Sequence, residues 1–202
     1  PRTVCGLKAF LGSSTGNLLV DYPATLDQLF RKAHILLAIH AEDEATSGAN
    51  MQRAVERWGD AIPMEEHPQI RSAEACYKSS SNAVALARTH GTRLHVLHIS
   101  TARETELFQP GDLRDKRITA EACIHHLWFT DADYAEKGAS IKWNPAVKSS
   151  TDREAIRQAV KDGRIDVVAT DHAPHTSEEK RSAYAKCPSG GPLIQHSLVA
   201  ML

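Results

Sequence analysis

The sequence lacks the features that mark several large classes of protein. No apolar run approaches the length of a bilayer span, and the first residues do not form a signal-peptide pattern. The formal net charge is −1, so the strongly basic surface typical of nucleic-acid or anionic-membrane binding is absent. We therefore expect a protein without a nucleic-acid or membrane partner.

Paired cysteines, repeats and low-complexity tracts are also missing. The four cysteines are widely spaced and form no C-x-x-C pair, which argues against a zinc knuckle and against a disulfide framework. That usage fits a reducing compartment, and we expect the cytoplasm. No stretch reads as a linker, and 202 residues are enough for one real core. We expect residues 1–202 to form a single domain.

Strand-like and helix-like segments alternate along the chain. This alternation predicts parallel strands joined by helical crossovers, which is an α/β fold. In α/β barrels the active site lies at the carboxyl ends of the strands. The predicted strands cover residues 4–11, 35–40, 93–99, 117–123, 140–143 and 166–170, and the predicted helices cover 25–33, 43–58, 72–90, 102–108 and 152–161.

The stretch that follows the last predicted strand is the most informative one. A short apolar run, predicted to be buried, gives way to Asp171, His172 and His175, and Pro174 cannot continue the strand. One acid and two imidazoles so close together can ligate a divalent metal, move a proton, or do both. For this stretch alone, a solvated strand end with an Asx-type turn stays open as the alternative.

Other predicted strands also carry or end in ionisable groups. His40 ends one strand, His98 lies near the end of the next, and Lys8 lies within the first. Each histidine alone is more often a hydrogen-bonded structural residue, but the joint pattern with Asp171 favours a site at one rim. An unpaired buried ammonium is costly. Lys8 could therefore reach the surface, pair with an acid, or have a lowered pKa and react with carbon dioxide to form a carbamate.

Six segments of the sequence resemble the dihydroorotases of the amidohydrolase superfamily. They occur in the family's order and span most of the chain, and Thr-Asp-His-Ala-Pro-His at 170–175 is the most specific. Each of the others is weak alone, and the set is strong. The six segments are residues 6–17, 39–43, 97–101, 121–127, 142–145 and 169–175.

The resemblance implies a partial (β/α)8 barrel, roughly its last five strands, with two zinc ions at the rim of the complete enzyme. Lys8 matches the carboxylated lysine that bridges the metals in some branches of the family. His40 and His98 match the histidines that hold the second zinc. Asp171 matches the acid that ligates the first zinc and handles the proton in catalysis.

The resemblance also implies substrate contacts. Asn144 and His175 match groups that contact the substrate, and Gly190 lies in a loop that matches one supplying backbone contacts. Three further histidines are interpreted as packing or supporting residues, namely His125, His126 and His172.

One departure from the family pattern is large. The family carries an early His-x-His motif followed by an arginine, and this sequence contains no His-x-His. Those histidines hold the first zinc, and the arginine binds the substrate carboxylate. We therefore interpret the chain as a piece of a longer enzyme that lacks the N-terminal strand, and we expect the isolated chain to be inactive.

The function implied is the zinc-dependent, reversible cyclisation of N-carbamoyl-L-aspartate to L-dihydroorotate in pyrimidine biosynthesis, with a small-molecule substrate. Two alternatives stay open. The chain could belong to another cyclic amidohydrolase, a hydantoinase or an allantoinase, or to a non-catalytic dihydroorotase-like subunit that binds a partner enzyme. A homo-oligomer is also left open.

Overall fold

The computed structural model describes residues 4–12 and 18–202. In this part of the chain one sheet contains five strands in the order β1-β2-β3-β4-β5. Every neighbouring pair is parallel, so all strands present their carboxyl ends at the same edge. The strands are β1 (Gly6–Phe10), β2 (Leu36–His40), β3 (Leu94–Val96), β4 (Ile118–Cys123) and β5 (Val167–Ala169). The predicted α/β fold with five barrel strands is confirmed.

Helices connect the strands and cover one face of the sheet. No helix in the described part of the chain is both long and apolar enough to cross a bilayer. The helices are α1 (Pro23–Lys32), α2 (Glu44–Trp58), α3 (His67–Ile70), α4 (Ala73–His90), α5 (Ala102–Thr105), α6 (Ile124–Trp128), α7 (Tyr134–Lys137), α8 (Ser150–Lys161), α9 (Ser177–Lys180) and α10 (Ser197–Met201). Short 3-10 turns lie at Met64–Glu66, Asp131–Asp133, Gly138–Ile141 and Ile194–His196.

The long helices begin and end where local chemistry dictates. Asp43 accepts a hydrogen bond from the Thr46 amide at the start of α2, and Ser72 accepts one from the Ala75 amide at the start of α4. These caps satisfy amide groups that have no partner within the helix. The α4 helix ends at Gly91, which adopts a left-handed backbone with φ 66°, as the sequence predicts.

The main core lies between the central strands and the helices packed on them. Leu37, Ile39, Leu94 and Val96 are fully buried on β2 and β3. Helices α1, α4 and α8 contribute apolar side chains to the same cluster, including Phe30, Val84 and Ile156 in that order. These contacts fix the central strands, whose carboxyl ends carry the polar residues described below.

Two sequence predictions about strands are wrong. The segment 140–143 is not a strand, because its backbone groups bond to other parts of the chain. The Lys142 carbonyl accepts from the Gly190 amide, and the Trp143 carbonyl accepts from the His67 ring. The last strand was predicted to be buried, but β5 is an outer strand of the sheet and Val167 is 38% exposed. The predicted loop at 12–16 lies outside the described residues apart from Gly12.

Candidate active site at the carboxyl edge of the sheet

Two buried histidines face each other at the carboxyl ends of β2 and β3. His40 is 5% exposed and His98 is 4% exposed. Their side chains approach with Nδ1 of His40 3.0 Å from Nε2 of His98. The burial of His98, reinforced by the neighbouring His40, lowers its pKa well below the usual value. His98 is therefore a neutral nitrogen donor, and both rings lie in a buried environment.

The other nitrogen of His40 contacts a fully buried carboxylate. Nε2 of His40 lies 2.9 Å from Oε2 of Glu42, and Glu42 has no exposed surface. The Arg71 guanidinium lies 3.5 Å from the same oxygen. Burial raises the pKa of Glu42, but the hydrogen bond from His40 and the charge of Arg71 outweigh it, and the pKa is well below its usual value. Glu42 is therefore a carboxylate at neutral pH.

Asp171 follows β5 and is exposed at the open side of the sheet. Its backbone has a positive φ of 45°, and His98 has a φ of 40°; no other residue except glycine has a positive φ in the described ranges. Partial desolvation raises the pKa of Asp171, and the charge of Lys8 opposes that increase. The charge of Lys8 also acts on His98. The four predicted ligand residues therefore influence one another electrostatically.

Lys8 lies on the outer strand β1 and is exposed, with its Nζ 4.8 Å from the centre of the Phe10 ring. Of the alternatives that the sequence leaves open for Lys8, this exposure fits the one in which the side chain reaches the surface. Within the described residues, β1 has no neighbouring strand on its outer side.

The three predicted substrate-contact residues, Asn144, His175 and Gly190, lie near one another. His175 belongs to the loop that follows β5, and Gly190 packs against that loop. Gly190 has a φ of 135°, and a Cβ at that position would lie 2.4 Å from the Ala173 carbonyl and 3.3 Å from the His175 ring. Its amide donates to the Lys142 carbonyl. Asn144 accepts a hydrogen bond of 3.2 Å from the Ser189 hydroxyl. In the described part of the chain, no hydrogen bond links this group to the histidine pair.

A cavity of about 250 Å³ opens beside Asn144. Arg71, Lys142 and Ser189 also line it. The Lys142 ammonium donates to the carbonyls of Tyr184 and Cys187, and burial lowers its pKa to about 8. Arg71 and Lys142 thus bring basic groups to a cavity whose lining also includes Glu44, Met51 and Ile70.

The nitrogens of His40 and His98 suit a divalent cation, although the predicted ligands do not form a complete metal site within the described residues. Two nitrogens bound to one tetrahedral zinc at about 2.0–2.1 Å lie about 3.3 Å apart, which is close to the separation of the histidine pair. Among residues 4–12 and 18–202, no group of three or more His, Cys, Asp or Glu side chains is arranged to hold a metal. The structure thus brings His40 and His98 to a separation that suits two ligands of one ion.

Sequence reasoning missed two acids of the site. Glu42 lies two residues after His40, within the family-like segment 39–43. This spacing was the signal in the sequence that could have identified it. Glu121 on β4 accepts a hydrogen bond of 3.3 Å from the His98 amide, and its second oxygen lies 3.6 Å from the His95 ring. Glu121 therefore supports the backbone of His98 at its unusual conformation.

The histidines interpreted as supporting residues make contacts of that kind. The His125 ring stacks on Trp143 with centroids 4.4 Å apart. His126 lies 3.1 Å from the Pro145 carbonyl, and His172 accepts hydrogen bonds from the amides of Leu193 and Ile194. These residues belong to the family-like segments of the sequence. Their contacts in the structure are to neighbouring loops and rings.

Comparison with curated proteins finds dihydroorotases among the relatives of this chain. No family model matches the sequence. A dihydroorotase of Halobacterium salinarum is 32% identical over 199 residues, which are 96% of this chain and 44% of that protein. A dihydroorotase of Pelotomaculum thermopropionicum is 43% identical over 107 residues, which are 53% of this chain and 25% of that protein. The chain thus spans less than half the length of the relatives it matches.

Comparison with solved structures supports the fold. The D-hydantoinase of Bacillus sp. AR9 has a TM-score of 0.86 and 25% identity, and the match covers 98% of this chain and 44% of that chain. The dihydroorotase of Saccharomyces cerevisiae, solved with 5-fluoroorotic acid, has a TM-score of 0.72 and 18% identity, covering 98% of this chain and 53% of that chain.

The parallel sheet with ionisable residues at its carboxyl edge defines a partial α/β barrel of the amidohydrolase type. The sequence relatives narrow this class. The chain belongs to the dihydroorotase family.

Proposed function

We propose that this chain carries part of the active site of a dihydroorotase, which interconverts N-carbamoyl-L-aspartate and L-dihydroorotate plus water in pyrimidine biosynthesis. The observation that carries the proposal is the buried histidine pair at the carboxyl ends of adjacent strands, with 3.0 Å between facing nitrogens. The presence of Lys8, His40, His98 and Asp171 together argues against a pure scaffold, which would not need them. The dihydroorotase relatives supply the reaction class.

The proposed metal is zinc, two ions in the complete enzyme, because imidazole and carboxylate ligands suit it. His40 and His98 would hold one ion, and Asp171 would ligate the other. Lys8 would bridge them as a carbamate, as its match to the carboxylated lysine of the family implies. When bound, zinc polarises a carbonyl oxygen and lowers the pKa of water.

The protein's own groups supply the proton transfer and the substrate contacts. In the hydrolytic direction, the Asp171 carboxylate accepts the proton of the attacking water and returns it to the departing ring nitrogen. An acid beside two cations would keep a low pKa until the proton arrives, which suits this role. Asn144, His175 and the carbonyl of Gly190 would position the substrate, with the imidazole facing its carboxylate.

The setting of the reaction is part of the same proposal. We place it in the cytoplasm, which the four free cysteines support. We also propose that residues 1–202 act as one domain, supported by a single main core that extends from Ala9 to Val168. The substrate is a small molecule, and assembly as a homo-oligomer stays open.

A second candidate is a hydantoinase or allantoinase activity, which the fold match to D-hydantoinase favours. The test is turnover by the full-length, metal-loaded protein of dihydroorotate, hydantoin and allantoin in parallel. We expect turnover of dihydroorotate alone. Turnover of hydantoin or allantoin, with no turnover of dihydroorotate, would establish the second candidate. A folded, metal-loaded protein that turns over none of the three would support the non-catalytic subunit.

A further inference from the structure

We propose that Glu42 is the positioning residue of the metal site: its carboxylate selects the His40 tautomer that offers Nδ1 to a cation, and Arg71 helps to hold Glu42 in place. The inference rests on the proposed function only for the role of His40 as a ligand. Neither Glu42 nor Arg71 matches a family site residue identified from the sequence.

The hydrogen bond between His40 and Glu42 determines which ring nitrogen carries the proton. The Glu42 carboxylate, paired with the Arg71 guanidinium, accepts hydrogen bonds, so the contact of 2.9 Å places a proton on Nε2 of His40. Nδ1 of that tautomer then carries the lone pair. That nitrogen is the one that faces Nε2 of His98 at 3.0 Å. The carboxylate thus prepares the correct nitrogen before any ion arrives.

The same reasoning assigns a state to His98 in the metal-free protein. With a lone pair on Nδ1 of His40, the hydrogen bond between the rings needs a proton on Nε2 of His98. Nδ1 of His98 is buried and has no hydrogen-bond partner among the described residues. A cation between the rings would therefore require His98 to move its proton to Nδ1, while His40 needs no change. The two histidines are unequal, and His40 is the prepared ligand.

Burial strengthens the effect of Glu42 on the His40 ring. The side chain has no exposed surface, so a contact that it makes is not exchanged with water. Arg71 is only 19% exposed and lies 3.5 Å from the oxygen that contacts His40. This charge makes a buried carboxylate tolerable and keeps that oxygen beside the ring. The order of contacts is Arg71, Glu42, His40.

The test compares two substitutions of buried glutamates. Glu42→Gln keeps the size of the side chain, but its amide can donate to Nε2 and favour the tautomer with a proton on Nδ1. Glu104→Gln is the matched control, because Glu104 is 2% exposed and bonds to Ser80, Ser100 and Thr101. The readout is Zn²⁺ affinity of the full-length protein, measured without substrate by competition with a chromogenic chelator.

We expect Glu42→Gln to weaken Zn²⁺ binding by about 10- to 100-fold, the usual effect of removing a group that orients a ligating histidine. Glu104→Gln should leave Zn²⁺ affinity within about twofold while lowering the melting temperature. Unchanged affinity in Glu42→Gln overturns the proposal, and so does an equal loss in both variants. Wild-type protein that binds no Zn²⁺ overturns it as well.

A second measurement keeps the proposal falsifiable if Glu42→Gln does not fold. Imidazole ¹⁵N NMR of the metal-free wild-type protein should show His40 protonated at Nε2, and a proton on Nδ1 would overturn the inference. Failure of the proposed function has a different signature, since it leaves Zn²⁺ affinity and the tautomer as predicted and removes only turnover of dihydroorotate.

Discussion

Histidine carries much of the polar chemistry inside this molecule, and burial decides its charge. Four histidines are at least 96% buried, and desolvation lowers the pKa of each one. The free energy of unfolding must therefore depend on pH near neutrality. The four residues are His67, His98, His125 and His126.

His67 allows a clean test of this dependence away from the metal site. Its ring lies 2.6 Å from the Trp143 carbonyl and 2.7 Å from the Tyr184 hydroxyl, and burial lowers its pKa to about 3. The unfolded chain binds this proton near pH 6.5, so stability is present above that pH and is lost as pH falls toward 3. The loss is about 2 kcal/mol between pH 7 and pH 5.

We therefore expect His67→Gln to lower stability at pH 7 and to reduce the fall in stability between pH 7 and pH 5. Urea unfolding at several pH values measures both effects. The control is His34→Gln, which replaces an exposed histidine. Parallel stability curves for His67→Gln and wild type would show that His67 does not contribute.

Asp171 gives the corresponding prediction for activity. In the full-length protein, Asp171→Asn should reduce kcat for dihydroorotate by at least about 100-fold, because the amide cannot accept the transferred proton. The melting temperature should change little, since Asp171 is exposed at the sheet edge. Steady-state kinetics and thermal unfolding measure the two effects. Activity near the wild-type level would remove Asp171 from the mechanism.

Sequence alone located the residues of the site but not their surroundings. The strand-end pattern predicted a common rim for His40, His98 and Asp171, and the parallel sheet puts their strand ends at one edge. The exposure of Lys8 was not predictable, because it depends on what covers an outer strand. The role of Glu42 needed coordinates, since an acid near a histidine in sequence is common and a fully buried one is not.

At the scale of single elements, the best-defined helix start is that of α8. Ser149 and Asp152 form a capping box, and Asp152 also accepts a hydrogen bond of 2.8 Å from the Ala102 amide. This carboxylate therefore joins the start of α8 to the start of α5. Its loss should affect both helices.

We expect Ser149→Ala to lower the free energy of unfolding by about 1 kcal/mol, the usual value of an N-cap. Asp152→Ala should cost more, because the Ala102 amide loses its acceptor too. Thr176→Ala removes the same motif from the exposed helix α9 and should cost less than Ser149→Ala. Chemical denaturation of the three variants gives the order, and equal losses would contradict it.

Elements with strong local signals were predicted well, and those fixed by distant contacts were not. The sequence predicted α2 and α4 to within a residue at each end, and Gly91 marks the end of α4. The segment 140–143 looks like a strand by composition. Its backbone is instead bonded to His67 and Gly190, which no local pattern reveals.

At the scale of the whole molecule, the dominant feature is a sheet with two outer strands. Leu7 on β1 is 44% exposed and Val167 on β5 is 38% exposed. Within the described residues, the isolated β-bridges outside the five strands are those of Phe10 with Leu19 and of His172 with Gly191. Open strand edges with apolar side chains promote association of chains.

We therefore predict that the 202-residue chain alone self-associates, and that the double variant Leu7→Lys, Val167→Lys associates less. Lysine on an outer strand disfavours edge pairing. Sedimentation velocity over a range of concentrations measures the effect. Val55→Lys is the control, since Val55 is 47% exposed on helix α2 and should not change association. Equal behaviour of the two variants would show that the edges are not responsible.

The backbone conformation at two candidate ligands lowers the free energy of unfolding. His98 and Asp171 hold left-handed conformations that cost an ordinary side chain about 1–2 kcal/mol each. Glycine would remove that backbone cost at either position, but it would delete a candidate ligand, and at His98 it would also remove a buried ring and its contact with His40. Within the described residues, the unfavourable backbone conformations outside glycine therefore fall at two of the residues that the proposed function needs.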